Sequence, residues 1–292
     1  MVRTTRTTTK ASPREEADLL ESREVLPGRG WQTWRAPTIA RSLVPGQYLY
    51  LHHPRPAGLL LPALPVAGFD RVAGTVSVLL DDSVQGGSLA TARAGETARF
   101  EGPLGRGFAI DARSRFLLVV TDATGFARVR AIADEAVASG RQVTVLLEAP
   151  SVAAVFPSSL LPDEAEYVVA TSDGSLGHRG SARELLPAYE AWADQCFAAG
   201  SAELLGTLAR AAAGRDQRMG VARLGRRRNR RSDPRDHDRR RRAWLQLALP
   251  HPVGCALGVC AGCVTAGREG HVRICREGPA FASDELHWAT GS

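Results

Sequence analysis

Four of the chain's five cysteines lie in one stretch near the C-terminus, GCALGVCAGCVTAGREGHVRIC. Their spacing is C-x4-C-x2-C-x11-C, and the first three follow the order of plant-type [2Fe–2S] ligation, in which a fourth cysteine comes later. We therefore predict a [2Fe–2S] cluster. Zinc and no metal remain the alternatives, although structural zinc sites more often use two C-x2-C pairs or histidine. The predicted ligands are Cys255, Cys260, Cys263 and Cys275.

The residues around these cysteines are small. A loop that wraps a cluster must bring backbone N–H groups close to the sulfur atoms, and glycine permits both positive φ and close approach. We expect Gly254, Gly258 and Gly262 to serve in this way. Cys196 stands apart, and its surroundings indicate a small buried apolar residue.

Composition and charge limit the function classes. The N-terminal stretch has no apolar core typical of a signal peptide, and no run approaches about 18 apolar residues, so a membrane span is not expected. Five cysteines, four of them clustered, form a poor disulfide framework but a good metal site in a reducing compartment, which predicts a cytoplasmic protein.

Positive charge is concentrated in one segment. Residues 225–242 contain ten arginines and three aspartates, whereas the whole chain carries a net charge of only +6. We interpret the segment as a solvated linker; an arm that binds nucleic acid or an acidic partner is the alternative. No aromatic residue interrupts the run to stack on bases, which disfavours nucleic acid.

The patterning along the chain predicts a multidomain α+β protein. Short alternating runs, among them QYLYLHH, GTVSVLL and ETARFEG, are typical of an antiparallel β-barrel. From about residue 113, buried strands (RFLLVV, QVTVLLE, EYVVAT) alternate with helices, as in a parallel α/β domain, and Gly140 is placed to cap the first helix. The predicted divisions are a disordered tail (1–18), the barrel (19–112), the α/β domain (113–214), an arginine-rich linker (215–242) and the cluster module (243–292).

Several segments together resemble the electron-transfer subunit of the NAD-dependent, two-subunit dihydroorotate dehydrogenases, within the ferredoxin-reductase-like superfamily. They are VPGQYLYL, GPLGRGFAI, ATSDGSLGHRGSARELL, and GCALGVCAGCV with CREGPAF. The resemblance implies an FAD-binding barrel, an NAD-binding α/β domain and a C-terminal [2Fe–2S] module. It also implies a hetero-oligomer with a catalytic flavoprotein subunit, and a role in pyrimidine biosynthesis.

The flavin elements of that family are only partly present. Its Arg-Pro-x-Ser type motif aligns with Leu64, Pro65, Val66 and Ala67, so that only the proline is kept. The position of a Tyr-Arg pair near the diphosphate holds Asp81 and Asp82, whose carboxylates would repel phosphate. The Gly-Thr turn is better kept, and the resemblance implies that Gly87 and Ser88 contact the cofactor.

The nucleotide turn also departs from the family. The glycine-rich turn after the first α/β strand is TDATG here, in which only Gly125 remains to bring an amide close to a pyrophosphate. Asp122 adds negative charge, so we expect weak NAD(H) binding; as a helix N-cap it would instead be structural. Arg106 is a weaker candidate for a phosphate contact, and a loop histidine such as His178 is more often simply solvated.

These features predict an electron-transfer subunit that relays electrons between a partner flavin dehydrogenase and FAD/NAD through the cluster. No residue resembles a general base or nucleophile, so no catalytic residue is assigned and the organic step is expected in the partner. Two alternatives remain: a degenerate cluster-bearing adaptor or redox sensor, and a zinc-stapled nucleic-acid-binding module. Phe281 and Trp288 are expected to anchor the partner, so truncation after Gly278 should weaken that contact.

Overall fold

The computed structural model describes residues 12–52, 63–81, 92–218, 240, 243–250, 255 and 258–288. Within them the chain forms a closed barrel, a seven-stranded mostly parallel sheet flanked by helices, and a two-stranded hairpin. None of the helices in this part of the chain is both long and apolar enough to cross a membrane.

The barrel closes through antiparallel pairs in the order β1-β2-β5-β4-β3-β6. Alternate side chains enter its core, where Trp34 and Phe100 meet edge to face with ring centroids 5.2 Å apart. This arrangement confirms the predicted barrel. Its elements are β1 (Arg14–Leu26), β2 (Arg29–Arg35), α1 (Pro37–Ala40), β3 (Tyr48–His52), β4 (Ala63–Asp70), β5 (Thr75–Asp81) and β6 (Thr97–Leu104).

One boundary of the barrel differs from the prediction. The tail was predicted to extend to residue 18, but β1 begins at Arg14 and pairs with β6 from that residue onward. The polar composition was misleading because the strand alternates: Ala17 and Leu19 face the core, while the charged side chains between them face solvent. Residues 1–11 of the predicted tail lie outside the described residues.

The second sheet has the strand order β10-β9-β8-β7-β11-β12-β15 and is parallel except for its last strand. This order confirms the predicted α/β domain, with helices packed on its two faces. Its elements are β7 (Phe116–Asp122), α2 (Phe126–Ala138), β8 (Gln142–Ala149), β9 (Glu166–Thr171), β10 (His178–Arg179), α3 (Ala182–Glu190), β11 (Gln195–Ala199), α4 (Ala202–Arg218) and β12 (Leu245–Ala248), with single 3-10 turns at Val152–Ala154 and Ser158–Leu160.

Helix α2 ends as its sequence predicts. Gly140 follows the helix with a φ of 69°, and its amide donates to the Val137 carbonyl at 2.9 Å. The next amide, of Arg141, donates to the Ala136 carbonyl at 2.9 Å. This left-handed ending satisfies carbonyls that the helix itself leaves unpaired.

The linker is shorter than the predicted range of 215–242. Helix α4 continues to Arg218, and the Arg215 guanidinium lies 4.6 Å from the Trp244 ring centroid. At the other end, the buried Arg240 forms an ion pair with Glu285 at 2.9 Å. Arginines at both ends therefore pack on aromatic or acidic groups, whereas residues 219–239 lie outside the described residues.

The C-terminal segment returns to the α/β sheet. Strand β15 pairs antiparallel with β12, so this segment completes the edge of the larger sheet. A hairpin and a short helix project from that edge and carry the later cysteines. The elements are β13 (Val264–Gly267), β14 (Gly270–Arg273), α5 (Ile274–Glu277), β15 (Ala280–Ala282) and a 3-10 turn at Ser283–Glu285.

Candidate metal centre and nucleotide site

Backbone contacts to sulfur group the four cysteines into two pairs. The Cys260 amide donates to the Cys255 Sγ at 3.4 Å, and the Cys275 amide donates to the Cys263 Sγ at 3.4 Å. Among the described residues, no three Cys, His, Asp or Glu side chains lie close enough together to surround one metal ion. Two pairs suit a core of two irons in which each iron takes two thiolates.

The loop between these pairs has the conformation that a cluster requires. Gly258 has a φ of 72°, as its position predicted, and the Gly262 amide donates to the Cys260 Sγ at 3.4 Å. The second left-handed residue is Ala261, with a φ of 55°, rather than Gly262. A left-handed alanine is unfavourable by itself, and here it accompanies an amide directed at sulfur. Gly254 lies outside the described residues.

Two arginines hold this loop against the short helix that follows the hairpin. Arg273 donates to the Gly258 carbonyl at 3.0 Å and pairs with Glu277 at 2.8 Å. A Cβ on Gly258 would lie 2.5 Å from the Arg276 Cδ, so the loop backbone packs directly on that side chain. The loop is therefore fixed by side chains that the cysteine spacing alone does not identify.

The thiols differ in exposure in a way that fits a cluster near the surface. Cys263 and Cys275 are each 3% exposed, whereas Cys260 is exposed. Burial and the adjacent Cys263 thiol raise the pKa of Cys275 to about 12. Two neighbouring buried thiols ionise together only opposite a cation, and the iron of a bound cluster would supply that charge. The four thiols therefore fit a [2Fe–2S] cluster.

The cysteine module is attached directly to the barrel. The buried Tyr48 hydroxyl of β3 donates to the Cys275 carbonyl at 3.4 Å. Beside it, the Ala280 amide donates to the Arg106 carbonyl at 3.2 Å, and Arg106 and Pro279 form an isolated parallel bridge. Arg106 thus joins the two modules through its backbone, and its predicted phosphate contact stays untested.

The predicted flavin stretch is used mainly for packing. Leu64 and Val66 point into the barrel core and are 1% and 0% exposed. Ala67 packs against the α/β domain, and its carbonyl accepts a 3.5 Å hydrogen bond from Arg130 of α2. Pro65 pairs with Tyr48 between β4 and β3. These side chains provide no charge or hydroxyl for a diphosphate, so this stretch does not fit FAD in the way that the resemblance implied.

The other flavin positions give a mixed result. Asp81 does not present an unopposed negative charge, because Arg29 Nη1 lies 2.6 Å from its Oδ2. The repulsion expected from Asp81 is therefore weakened by an internal partner. Asp82, Gly87 and Ser88 lie outside the described residues, and their predicted contacts remain predictions.

At the nucleotide turn, the Asp122 carboxylate is fully engaged with its own chain. Its Oδ1 accepts from the Thr124 amide at 2.8 Å, the Thr124 hydroxyl at 2.6 Å and the Gly125 amide at 3.0 Å. Its Oδ2 accepts from the Ser201 amide at 2.7 Å, immediately before α4. The carboxylate therefore bonds to residues just before α2 and α4, which is a structural role but not the predicted N-cap. Gly125 holds the N-cap position of α2, and the Ser201 Oγ accepts from the Leu204 amide in the first turn of α4 at 3.3 Å.

Gly125 has a packing reason for being glycine. A Cβ there would lie 1.9 Å from the Ala199 carbonyl oxygen, at the end of the neighbouring strand β11. The turn after β7 and the turn after β11 consequently touch backbone to backbone. Its amide already donates to Asp122, so the predicted cofactor contact of Gly125 stays a prediction that requires Asp122 to move.

Sequence reasoning missed Arg128, one turn into α2. Its Nε is buried and has no hydrogen-bond partner among the described residues. Burial lowers the pKa of this guanidinium to about 10, and Asp122 opposes the shift, so Arg128 stays charged at neutral pH. The available signal was its position, three residues after the last glycine of the turn.

Two expectations about other residues have clear outcomes. Cys196 is confirmed as a buried core residue in β11, and burial raises the pKa of its thiol. His178 lies 3.0 Å from Glu184, a residue of the capping box of α3, and is thereby engaged within the chain.

One of the two predicted partner anchors is wrong. Phe281 is 2% exposed within β15, and Trp288 packs against two core clusters and donates to the Ser283 carbonyl at 3.1 Å. Phe281 is drawn into the core within the returning edge strand, whereas Trp288 is only partly buried, so its contact with a partner stays a prediction. Truncation after Gly278 would therefore remove a core strand rather than a surface contact.

Comparisons with known proteins agree with this architecture. Residues 252–287 match the family model of the iron–sulfur cluster binding domain of dihydroorotate dehydrogenase B. A dihydroorotate dehydrogenase B (NAD(+)) electron transfer subunit from Desulforamulus reducens is 25% identical, and the alignment covers 94% of this chain and 98% of that protein. A probable subunit of the same name from Methanothermobacter thermautotrophicus is 30% identical over 66% of this chain and 61% of that protein.

Solved structures share the fold. The structure of an NADH-dependent reduced ferredoxin-NADP oxidoreductase superposes with a TM-score of 0.71 at 18% identity, covering 97% of this chain and 91% of that one. A barrel, an α/β domain and a cysteine module thus occur together in this chain and match known proteins over nearly its whole length. Residues 252–287 are thus similar to the iron–sulfur cluster binding domain of dihydroorotate dehydrogenase B, and the chain as a whole is similar to electron transfer subunits of that enzyme.

Proposed function

We propose that this chain is an electron-transfer subunit that serves a separate flavin dehydrogenase of the dihydroorotate dehydrogenase kind. The observation that carries the proposal is the arrangement of the four cysteines in two pairs, with backbone amides directed at their sulfurs. A bound [2Fe–2S] cluster supplies one-electron transfer. Cys255, Cys260, Cys263 and Cys275 would hold it, and Arg273 would keep the loop closed around it.

The buried and exposed parts of this site have different roles in the proposal. Cys263 and Cys275 lie against the barrel side, where Tyr48 contacts the Cys275 carbonyl. Cys260 and the adjacent Val259, which is 77% exposed, face outward. An exposed apolar side chain next to an exposed ligand is suited to contact a partner subunit. The inner pair thus faces the rest of this chain, and the outer pair faces the partner.

The relatives' names and the fold support FAD in the barrel and NAD(+) at the α/β domain. Against this, the described residues at 64–67 offer no diphosphate contact, and Asp122 already fills the nucleotide turn. We derive no step through either cofactor. The predicted contacts of Leu64, Pro65, Val66, Ala67, Gly87, Ser88 and Gly125 belong to this proposal and need direct measurement. A cytoplasmic location is likewise part of it, from the five thiols that such chemistry keeps reduced.

The alternative functions are less well supported. A zinc-stapled module would place its ligands around one ion, whereas the sulfur contacts here form two separate pairs. The arginine run of the proposed nucleic-acid arm lies largely outside the described residues, and Arg240 at its end is buried against Glu285. The degenerate adaptor or redox sensor without FAD/NAD turnover is favoured only by the two departures at residues 64–67 and at Asp122.

The proposal can be tested by reducing the chain through its partner. The chain is purified anaerobically with and without a co-expressed dihydroorotate dehydrogenase catalytic subunit, and dihydroorotate is added. We expect the electron paramagnetic resonance signal of a reduced [2Fe–2S] cluster only when both subunits are present. A cluster that stays oxidised in a stable complex of the two subunits would contradict the proposal.

A matched pair of variants locates the contact with the partner. Val259→Asp places a charge beside the exposed Cys260, whereas Val72→Asp makes the same change on the barrel, where the side chain is 100% exposed. We expect Val259→Asp to weaken the complex at least about tenfold, since a buried unpaired charge is costly at an interface. Val72→Asp should leave it unchanged, and equal effects of the two variants would argue against this docking face.

A further inference from the structure

Two loops meet at the carboxyl end of the larger sheet. Strand β7 leads through Asp122 into α2, and the neighbouring strand β11 leads through Gly200 and Ser201 into α4. Helix N-termini carry unpaired N–H groups and partial positive charge, and together they form a seat for an anion. In α/β sheets of this kind, the phosphates of a dinucleotide bind at such a place.

In this chain the seat is already filled. The amides of Thr124, Gly125 and Ser201 all donate to Asp122 at 2.7–3.0 Å. A Cβ on Gly200 would lie 2.8 Å from the Asp122 Oδ2, so the backbone closes tightly on the carboxylate. The side chain occupies amide donors in both turns, just before the two helices, where a phosphate group would need them.

A buried cation near this seat gives a second, independent indication. Arg128 remains charged at neutral pH, and its buried Nε has no partner among the described residues. Asp122 is the charged group that acts on it. The Arg128 Nε is therefore a donor that the described residues leave unused, on a guanidinium that Asp122 acts on, as expected where an anion with more acceptor oxygens than a carboxylate could bind.

Resting on the proposed function, we propose that the Asp122 carboxylate takes the place of a nucleotide phosphate and competes with NAD(H) for this seat. Because the carboxylate is part of the chain, it cannot diffuse away, and a dinucleotide must displace it from three amides before its own phosphate is held. NADH binding is thus weakened because the amide donors are already occupied, which differs from simple charge repulsion across an open turn.

Two substitutions separate occupancy from repulsion. Asp122→Asn removes the charge but keeps an oxygen that accepts from the Thr124 and Gly125 amides. Asp122→Gly removes both and frees all three amides. Calorimetric titration with NADH should show affinity at least about tenfold tighter for Asp122→Gly than for the unaltered chain, with a smaller gain for Asp122→Asn.

The control is a carboxylate of the same local chemistry elsewhere. Asp70 accepts from the Val72 and Ala73 amides at 2.7 and 2.9 Å in a turn of the barrel. Asp70→Gly makes the same change of charge and should leave NADH affinity unchanged. Thermal unfolding and the visible spectrum of the cluster establish that each variant is folded, and Asp122→Ala, which likewise frees the three amides, replaces Asp122→Gly if that variant does not fold.

The proposal is overturned if NADH affinity is the same in all Asp122 variants, or if Asp122→Asn gains as much as Asp122→Gly, since the latter indicates repulsion alone. Failure here is distinguishable from failure of the electron-transfer function. Iron and sulfide content, and reduction of the cluster through the partner subunit, do not depend on Asp122 and are measured on the same preparations.

Discussion

The cysteine loop and the turn after β7 both direct backbone N–H groups at one point, but they differ in what stands there. In the cysteine loop the acceptors are Sγ atoms of Cys255, Cys260 and Cys263, which remain able to bind metal. In the turn the acceptor is the Asp122 carboxylate, which uses the donors up. The same kind of backbone thus leaves thiols available for the proposed metal centre in one region and is closed by its own carboxylate in the other.

This comparison teaches that a fold and its sites can diverge separately. The barrel and the mostly parallel sheet superpose on those of a solved ferredoxin-NADP oxidoreductase structure over 97% of this chain. A fold constrains where a ligand can bind, but only the side chains at that place decide whether it does. The metal centre keeps the residues that its chemistry needs, whereas the nucleotide turn keeps only its geometry.

Removing a thiolate should give the largest effect. Cys260→Ser leaves one iron with a single cysteine ligand, and we expect the cluster to be lost or strongly destabilised. Iron and sulfide analysis and the visible spectrum measure this directly. Cys196→Ala is the control, because Cys196 lies in the core of the α/β domain, and its cluster content should equal that of the unaltered chain.

In the turn after β7, disturbing the backbone contact should reduce the free energy of unfolding more than removing the carboxylate. Gly125→Ala forces a Cβ to within 1.9 Å of the Ala199 carbonyl oxygen, and we expect a loss of about 3 kcal/mol or more in the free energy of unfolding. Gly140→Ala has open space around the new Cβ and only an unfavourable positive φ, so its loss should be about 1 kcal/mol. Denaturant unfolding compares them, and equal losses would refute the close contact.

Removing the carboxylate should have an intermediate effect on stability. Asp122→Ala leaves the Gly125 and Ser201 amides, just before α2 and α4, without their carboxylate acceptor, and we expect a loss of about 2 kcal/mol in the free energy of unfolding. Asp70→Ala affects one barrel turn only, and its loss should be about half as large. If Asp122→Ala left the free energy of unfolding unchanged, the carboxylate would not be holding the two helices together.

The smallest effect is expected at the junction of barrel and metal centre. Tyr48→Phe keeps the buried ring and removes one 3.4 Å hydrogen bond to the Cys275 carbonyl, which should cost about 1 kcal/mol or less. Cluster content should not change. A large loss of iron in this variant would show that the Tyr48 hydroxyl is needed to hold the metal centre.

The sequence predicted the features that depend on local pattern. Alternation identified β3, β5 and β6, helical periodicity with Gly140 identified α2, and spacing identified the four cysteines. It misassigned β1, whose outward face is charged, and took Phe281 for a surface residue. Those errors arose because burial on one face, or beneath a returning strand, is decided by distant parts of the chain.

Contacts between segments far apart in the chain could not be predicted from the sequence for the same reason. Asp122 meets Ser201, and Arg240 meets Glu285, across intervals that no local pattern spans. The pattern left Asp122 open between a repelling charge and a helix cap, and the structure shows neither: the carboxylate bonds to amides just before α2 and α4. Arg128 gave no signal except its place in the first turn of α2.

The central claim is that the four cysteines hold a [2Fe–2S] cluster. The most direct measurement is iron, acid-labile sulfide and zinc content of the chain purified anaerobically from metal-replete cells, with the electron paramagnetic resonance spectrum after reduction. The account predicts about two iron and two sulfide per chain and the signal of a reduced [2Fe–2S] cluster. About one zinc per chain with neither iron nor sulfide would contradict it.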